Sequence, residues 1–321
     1  MKPMRWLPLV VAAALIVGAA VAPAATSKKK RKPASRPTTG ASHIPDSVTP
    51  VYPPATADDV AEAERAFAAH ANALGTRDAF LTWLSPTAVI FRPGPVNGLK
   101  AMAATPVSPA LLAWMPERVV LSSSNDLALS VGPWAWHEFA TKPAVAWGTY
   151  VSMWKRMPDG SWKVALDAGV SHPRPAVDSV DVYSTKFAPV PSSGRGPLAR
   201  RQTLWQTDVA FAKFAGDSGV AGALQRYAAS EHRRLRDDVA PIVGREAAHE
   251  AALRADERGV FMSLAQFISA SGDLGYTYGT FVRTRGADVD SSYYVHVWQR
   301  GSDKPWELLL DMLLPQPKAA K

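Results

Sequence analysis

Two segments of the sequence place aromatic and polar side chains on alternate positions of predicted strands. The first segment contains Tyr150, Ser152 and Trp154, and the second contains Tyr294, His296 and Trp298. Because side chains alternate between the two faces of a strand, each set of three shares one face. Such a face can line a pocket for a small, largely apolar ligand, and an imidazole on it can also move a proton. The same residues can equally form a core or the packing between two domains.

An aspartate ends the next predicted strand in both places. Asp167 follows an apolar run that begins with Trp162, and Asp311 follows a matching run that begins with Trp306. A carboxylate at the end of a buried strand is a candidate ligand anchor with a raised pKa. Alternatively, the carboxylate caps the strand or forms a structural salt bridge, with Arg156 or Arg300 as candidate partners.

These matching positions belong to an internal repeat. Residues 153–167 read MWKRMPDGSWKVALD, and residues 297–311, which lie 144 positions later, read VWQRGSDKPWELLLD. Trp is rare, so a doubled Trp spacing is unlikely to arise by chance. The repeat extends upstream, where Glu64-Arg-Ala-Phe aligns with Asp208-Val-Ala-Phe at the same offset. The sequence therefore predicts two copies of one domain.

The two copies and their flanking segments account for all 321 residues. We predict a signal peptide over residues 1–24, a tether over 25–56, a first domain over 57–175, a linker over 176–197 and a second domain over 198–317. Each copy has helices first and antiparallel strands afterwards. This order is typical of an α+β domain in which helices pack on one face of a curved sheet. Such a sheet forms a cone, and its interior can hold a ligand.

The N-terminus has the pattern of a secretory signal peptide. Lys2 and Arg5 precede an apolar run that ends in small residues, so we expect cleavage after Ala24 and export to the periplasm or the exterior. Five consecutive basic residues occupy positions 28–32, and clustered positive charge resists translocation. An uncleaved N-terminal membrane anchor is therefore the alternative. The sequence contains no Cys, which excludes disulfides and a lipid-modified cysteine.

Most of the positive charge lies near the N-terminus. Of the formal net charge of +8, residues 1–24 carry +2 and residues 25–56 carry +5, which leaves +1 for the remainder. A nucleic-acid-binding domain needs its basic residues on a folded face, so this distribution argues against nucleic acid as a partner. The tether is rich in Pro, Ser and Thr and is expected to be disordered, and its charge permits weak contact with an anionic envelope surface.

Segments of both copies resemble the nuclear transport factor 2-like superfamily, in its SnoaL-like and ketosteroid-isomerase-like branch. In the first copy the similar segments are residues 83–98, which contain Arg92-Pro-Gly-Pro, and the hairpin at residues 148–167. In the second copy they are residues 272–279 and the hairpin at residues 298–311. The resemblance implies two tandem cone-shaped domains. Because members commonly pair sheet to sheet as homodimers, it also implies an internal pseudo-dimer of the two copies.

The resemblance further implies the positions of an acid/base set: an Asp before the Pro of the first strand, a Tyr on the first helix and an acid on the penultimate strand. The first copy has Arg92, Phe67 and Ser152 at these positions. An Arg cannot accept a proton and a Phe cannot donate a hydrogen bond, so the first copy is expected to be inactive. The second copy has Asp238 and His296 at two of the positions, and any catalysis is expected from this pair.

The sequence predicts no cofactor and no metal. No Gly-rich phosphate loop follows a predicted strand, and the seven His residues lack metal-ligand spacing. The interpretation that these features favour is a secreted two-domain protein that binds a small, largely apolar ligand or serves as a scaffold. One alternative is an isomerase, cyclase or hydrolase with its acid/base groups in the second domain. The other is an interaction protein that docks on an envelope component.

Overall fold

The computed structural model describes residues 52–175, 183–186, 197–285, 288–301 and 304–316. These residues belong to one compact unit, Pro50–Lys321. The predicted signal peptide lies outside the described residues, as do most of the predicted tether and most of the predicted linker. Among the described residues, no helix combines the length and the apolar character needed to cross a membrane.

The first domain has two helices, then a strand pair and a short helix, and then the long strands of its sheet. Its elements are α1 (Ala57–Leu74), α2 (Thr76–Trp83), β1 (Leu84–Phe91), β2 (Pro95–Asn97), α3 (Gly98–Ala104), β3 (Leu111–Trp114), β4 (Arg118–Leu121), β5 (Leu127–His137), β6 (Ala146–Arg156) and β7 (Trp162–His172). The strand β8 (Tyr183–Lys186) follows within the predicted linker.

The second domain repeats this order with one long helix at its start. Its elements are α4 (Pro197–Tyr227), β9 (Ala228–Arg236), β10 (Val239–Val243), α5 (Arg245–Arg254), β11 (Val260–Ile268), β12 (Leu274–Arg285), β13 (Asp288–Gln299) and β14 (Glu307–Pro315). Gly219 has a non-helical backbone with a φ of 79° and divides α4 into two helical parts. These parts correspond to α1 and α2 of the first domain.

Local sequence explains how α1 begins and which face it buries. Thr56 accepts a hydrogen bond from the Asp59 backbone N–H, and the Asp59 carboxylate accepts one from the Thr56 N–H, which forms a capping box. Val60, Phe67 and Ala71 recur at helical spacing and are all buried. The helix therefore presents one apolar face to the inner face of the sheet. We call the space between the helices and that sheet face the cone of the domain.

The two sheets have corresponding strand orders. The first is β2-β1-β7-β6-β5-β4-β8, with β3 also paired to β5, and the second is β10-β9-β14-β13-β12-β11. In both, the first long strand runs parallel to the last one of the domain, and the remaining pairs among the long strands are antiparallel. This arrangement confirms the predicted α+β class with two tandem domains. The strand β8 was not expected in the linker, and it extends the first sheet by pairing in parallel with β4.

The outer faces of the two sheets pack against each other. One buried cluster contains Val151 and Met153 of the first sheet together with Val295 and Val297 of the second. All four side chains are fully inaccessible to solvent. The side chains between them in sequence point to the opposite face, into the cones, as strand alternation requires.

A reciprocal set of hydrogen bonds joins the β4–β5 turn, residues 122–126, to the β11–β12 turn, residues 269–273. We call these two turns the serine–aspartate clasp. Asp126 Oδ2 accepts from the Ala270 N–H at 2.8 Å, and Asp273 Oδ2 accepts from the Ser123 N–H at 2.9 Å. At the centre, the Ser124 and Ser271 hydroxyls lie 2.8 Å apart. Each contact is matched by its counterpart from the other domain, as in the two-fold interface of a homodimer.

Removing one clasp carboxylate should destabilise the whole compact unit. Asp273 also accepts bonds from the hydroxyls of Ser123, Ser269 and Ser271, so Asp273→Ala leaves several partly buried donors unpaired. We expect a loss of about 2–3 kcal/mol in the free energy of unfolding, measured by urea denaturation. Asp256→Ala, which removes an exposed carboxylate from the turn after α5, is the matched control.

The reciprocal geometry also predicts coupling between the two halves of the clasp. The double variant Asp126→Ala/Asp273→Ala should lose less stability than the sum of the single losses, because each single change already disrupts the shared serine network. Strictly additive losses would contradict a shared network.

Candidate functional site

A buried carboxyl group lies at the centre of the first cone. Glu64 projects from α1 and has no exposed surface. Its two oxygens accept hydrogen bonds from the indole N–H groups of Trp114 and Trp154, each at 2.7 Å. Burial raises the pKa of Glu64 to about 7, although the two indole donors favour the charged form.

Aromatic side chains fill the space around Glu64. Phe67 contacts Phe80, Trp83, Trp114 and Trp154, with ring centroids 4.7–6.2 Å apart. Most of these contacts are edge-to-face, the geometry favoured by aromatic quadrupoles. Trp154, predicted as a pocket residue, is therefore part of a packed core and binds Glu64 at the same time.

A second polar pair lies further along the inner face of the first sheet. Ser152 donates a hydrogen bond to Asp167 Oδ2 at 2.9 Å, and Tyr150 shares one with the Ser130 hydroxyl at 3.0 Å. Burial raises the pKa of the half-buried Asp167 to about 6, against the opposing effects of the Ser152 hydrogen bond and the Arg92 charge. Of the two roles considered for this aspartate, a raised pKa and a salt bridge, the structure favours the raised pKa, and the hydrogen-bond partner of Asp167 is Ser152.

The second cone has a buried carboxylate at the position that corresponds to Glu64. Asp208 Oδ1 accepts from Thr277 at 2.8 Å and contacts His296 Nδ1 at 3.1 Å, while Oδ2 accepts from the Tyr294 hydroxyl at 2.9 Å. Desolvation alone would raise the pKa of Asp208. The hydrogen bond and charge of His296, together with the two hydroxyls, hold that pKa below its usual range.

Aromatic rings enclose His296, which is only 1% exposed. Its ring lies 4.3 Å from Tyr294, 5.0 Å from Phe211 and 5.3 Å from Phe261, measured between centroids. His296 Nε2 is buried and has no hydrogen-bond partner in the described structure. Trp298, predicted as a pocket residue, donates instead to Thr277 at 3.3 Å.

Asp311 is part of a buried ion cluster on the parallel strands β9 and β14. It contacts His232 Nε2 at 3.2 Å, Arg234 at 3.4 Å and Arg236. Glu257 completes the cluster through the same two arginines. Desolvation opposes the charged form, but the charges of Arg236 and Arg234 hold the pKa of Asp311 well below its usual range.

Arg156 and Arg300 were the candidate salt-bridge partners of Asp167 and Asp311, but both make other contacts. The Arg300 guanidinium lies 4.6 Å from the centre of the Trp306 ring, and Arg156 lies 5.5 Å from that of Trp162. Both contacts are cation–π interactions within the terminal hairpins. The Asp311 salt bridge comes instead from β9, a strand that lies more than 70 residues upstream.

The structure does not bring Asp238 and His296 together. Asp238 is exposed in the turn between β9 and β10, with a φ of 60°. Its backbone N–H donates to the Ser171 carbonyl at 2.8 Å, which places this turn against the first domain. The side chain of His296 points into the second cone. The expected acid/base pair is therefore not assembled, and the carboxylate beside His296 is Asp208.

A pocket of about 170 Å³ opens at the end of the second cone. We call it the mouth pocket, and it is lined by Arg236, Asp237, Glu257, Phe281, Arg283, Asp290, Ser292, Leu313 and Pro315. The Phe281 ring lies 4.3 Å from Phe261, and Phe261 in turn contacts His296. Two phenylalanine rings therefore separate the mouth pocket from the buried histidine.

In the first cone a tryptophan occupies the equivalent place. Strand register aligns the Trp134–Gly148 pair with the Phe281–Ser292 pair that lines the mouth pocket. The Trp134 ring lies directly over Gly148, and a Cβ added to Gly169 would lie 3.2 Å from Trp134 Nε1. The two glycines therefore make room for the half-buried indole, which lies against the inner face of the first sheet at this end.

The central carboxyl groups, Glu64 and Asp208, were not among the site residues expected from the sequence. The signal was present, because each acid lies three residues before a phenylalanine, Phe67 or Phe211, on the buried face of the first helix of its domain. An acid at an inward position in both copies calls for a buried partner. Within the described residues, no group of three or more acidic or His side chains is arranged to hold a metal ion.

No family model matches this sequence, and no curated protein matches it. Solved structures similar to the chain include a ketosteroid isomerase-like protein from Erwinia carotovora atroseptica, with 9% identity, a TM-score of 0.32 and coverage of 36% of this chain and 96% of that one. Another is an NTF2-like protein with a cystatin-like fold from Novosphingobium aromaticivorans, with 19% identity, a TM-score of 0.30 and coverage of 38% and 86%. A protein of unknown function from Nostoc punctiforme, also described as having a cystatin-like fold, has 14% identity, a TM-score of 0.31 and coverage of 37% and 92%.

The raised pKa of Glu64 predicts a pH-dependent stability. Folding raises that pKa from 4.5 to about 7, so the stabilising contribution is complete below pH 4.5 and is lost as the pH rises to 7. The stability of the wild type relative to Glu64→Gln should therefore fall by on the order of 3 kcal/mol between pH 4.5 and pH 8. Urea denaturation at several pH values measures this difference.

A matched control separates Glu64 from the other titrating groups. Glu62→Gln removes an exposed carboxyl from the same helix and should leave the pH profile unchanged. If Glu64→Gln and the wild type have parallel profiles, the carboxyl group of Glu64 does not titrate as described.

Proposed function

We propose that this protein is a non-catalytic binding module whose second domain holds a small ligand in the mouth pocket. The observation that carries the proposal is the difference between the two cone ends. Trp134 lies over two glycines on the inner sheet face at the first, whereas the second has a pocket of about 170 Å³. An engineered apolar cavity of about 150 Å³ is large enough for benzene, so the mouth pocket suits one six-membered ring.

The lining indicates the chemistry of the ligand. Phe281, Leu313 and Pro315 provide an apolar wall, which fits the largely apolar ligand expected from the sequence. Three carboxylates line the pocket against two guanidinium groups, and Arg283 already contacts Asp290 at 2.9 Å. A ring that carries a cationic or hydrogen-bond-donating group therefore fits this pocket better than an anion does.

The acids beside the mouth pocket favour binding over catalysis. Arg236 and Arg234 hold the pKa of Glu257 below its usual range, as they do for Asp311. A general base works best when its pKa lies near the operating pH. Carboxylates held in the charged form by arginines are weak bases and have no proton to donate, but they can orient a bound ligand.

A second candidate function, proton transfer of the isomerase type, is favoured by Asp167. This half-buried carboxyl has a pKa raised to about 6, which suits acid/base work near neutral pH. The enzymatic alternative therefore depends on the first domain rather than on Asp238 and His296. Asp167→Asn should abolish such an activity, and Asp159→Asn, which alters an exposed carboxyl in the preceding turn, should leave it unchanged.

We also propose export of the protein with cleavage after Ala24, and weak contact of its basic tether with an anionic envelope surface. The apolar run that follows Lys2 and Arg5 and ends in small residues supports export, and the basic residues at positions 28–32 support the surface contact. The face-to-face packing of the sheets supports an internal pseudo-dimer, in which one copy is a scaffold for the other. Docking on an envelope component remains the alternative to ligand binding.

Three probes that share one ring and differ in charge test the ligand chemistry. Benzamidine is cationic, benzamide is neutral and benzoate is anionic. We expect binding to weaken in that order, with millimolar or tighter dissociation constants measured by calorimetry or by NMR shifts of the full chain. Equal binding of all three, or strongest binding of benzoate, would contradict the electrostatic argument.

A steric block tests the location. Ser292→Trp should fill the mouth pocket, which Ser292 lines, and it should abolish benzamidine binding. Ser108→Trp places the same side chain in an exposed loop of the first domain and should have no effect. Binding that survives Ser292→Trp would place the ligand elsewhere.

A further inference from the structure

One edge of the second sheet exposes a row of apolar side chains. Among the described strands, β11 pairs only with β12. Val260, Met262 and Leu264 of β11 are 58%, 54% and 57% exposed, whereas Phe261 between them is buried in the cone. An exposed edge strand with apolar side chains is a template for pairing with another strand.

The β11 edge lacks the charges that normally prevent such pairing. Residues 259–272 contain no Asp, Glu, Lys or Arg. The opposite edge strand, β10, also exposes apolar side chains, but it has five residues and contains Pro241, which has no backbone N–H. A short edge strand that contains a proline disfavours pairing with another strand. Strand β11 is longer and contains no proline.

In the first domain the corresponding strand has a further strand beside it. The pairing of Arg118 with Val131 matches the pairing of Ala265 with Tyr278, so β4 corresponds to residues 265–268 of β11. In the first sheet β8 adds to β4 in parallel. A break at residues 115–117 precedes β4, as a register shift at residues 263–265 precedes the matching part of β11. The strand β8 pairs with residues 118–121, which follow this break.

The exposed edge is continuous with an interface that the protein already uses. Phe267 of β11 stacks on Tyr276 with 4.9 Å between ring centroids, and Tyr276 belongs to the buried cluster between the two sheets. A strand added beside β11 would thus extend the apolar face that packs against the first domain.

We propose that β11 is a dimerisation surface at which it pairs, antiparallel, with β11 of a second copy of this chain. A two-fold axis across the edge places the uncharged segment opposite itself, so the exposed N–H and C=O groups pair and no like charges meet. The register shift limits the pairing to the short segments on either side of Leu264. The resulting dimer is a single sheet that continues from one copy into the other.

Sedimentation analysis of the full chain over about 1–200 µM tests the proposal. The wild type should show a concentration-dependent monomer–dimer equilibrium. Met262→Lys and Leu264→Lys should each shift it to monomer, with at least a tenfold weaker association, because each change brings one lysine from each copy close to the axis. Val243→Lys, at a side chain 52% exposed on β10, should dimerise as the wild type does. A wild type that is monomeric throughout, or a dimer that survives both lysine variants, would overturn the proposal.

The absence of Cys allows a direct test of geometry. Met262→Cys and Leu264→Cys each introduce a single thiol, and opposed residues of an antiparallel pair lie within about 5.5 Å between Cα atoms, close enough for a disulfide. Mild oxidation should cross-link at least one of these variants into a covalent dimer, whereas Val243→Cys should stay monomeric on a denaturing gel. Cross-linking only through Val243→Cys would show that the copies meet at β10 and would overturn the assignment to β11.

Discussion

The burial of the two outer sheet faces against each other is the interaction on which the rest of the structure depends. Val151, Met153, Val295 and Val297 are fully buried only because each sheet covers the other. Burial of one such side chain contributes about 1.5–3 kcal/mol, and an isolated domain would expose the whole face to water. The hydrogen bonds of the serine–aspartate clasp depend on direction, unlike the apolar contacts between the sheets. These reciprocal bonds hold one relative position of the sheets, which the apolar contacts alone would not define.

Packing of the outer faces leaves the inner faces free to differ. In a homodimer every substitution occurs twice, but two fused copies can change independently. The first cone contains a packed aromatic core around Glu64, and Trp134 lies over two glycines at its end. The second cone has Asp208 in a hydrogen-bonded network and the mouth pocket at its end.

Buried carboxyl groups in the two domains have opposite pKa shifts, because their neighbours differ. Glu64 receives hydrogen bonds from two neutral indoles, so burial still raises its pKa to about 7. Asp311 has two arginines beside it, and their charges outweigh the desolvation and lower its pKa. The first arrangement makes stability sensitive to pH near neutrality, whereas the second keeps a fixed charge next to the mouth pocket. A buried carboxyl group beside two guanidinium groups therefore stays charged, whereas one that has only neutral hydrogen-bond donors titrates near neutral pH.

The sequence by itself determined the repeat, the α+β class and the face on which each strand residue lies, because helical and strand periodicities are local properties of the chain. It placed Tyr150 and Trp154 on one face of their strand, and for Asp167 and Asp311 it left open whether each has a raised pKa or forms a salt bridge. Only the tertiary structure decided the partners of these groups. Asp311 pairs with arginines of β9 because β9 and β14 run side by side, although more than 70 residues separate them. The indole of Trp134 lies over two glycines at the end of the first cone, and this place follows from three-dimensional packing and from no pattern along the chain.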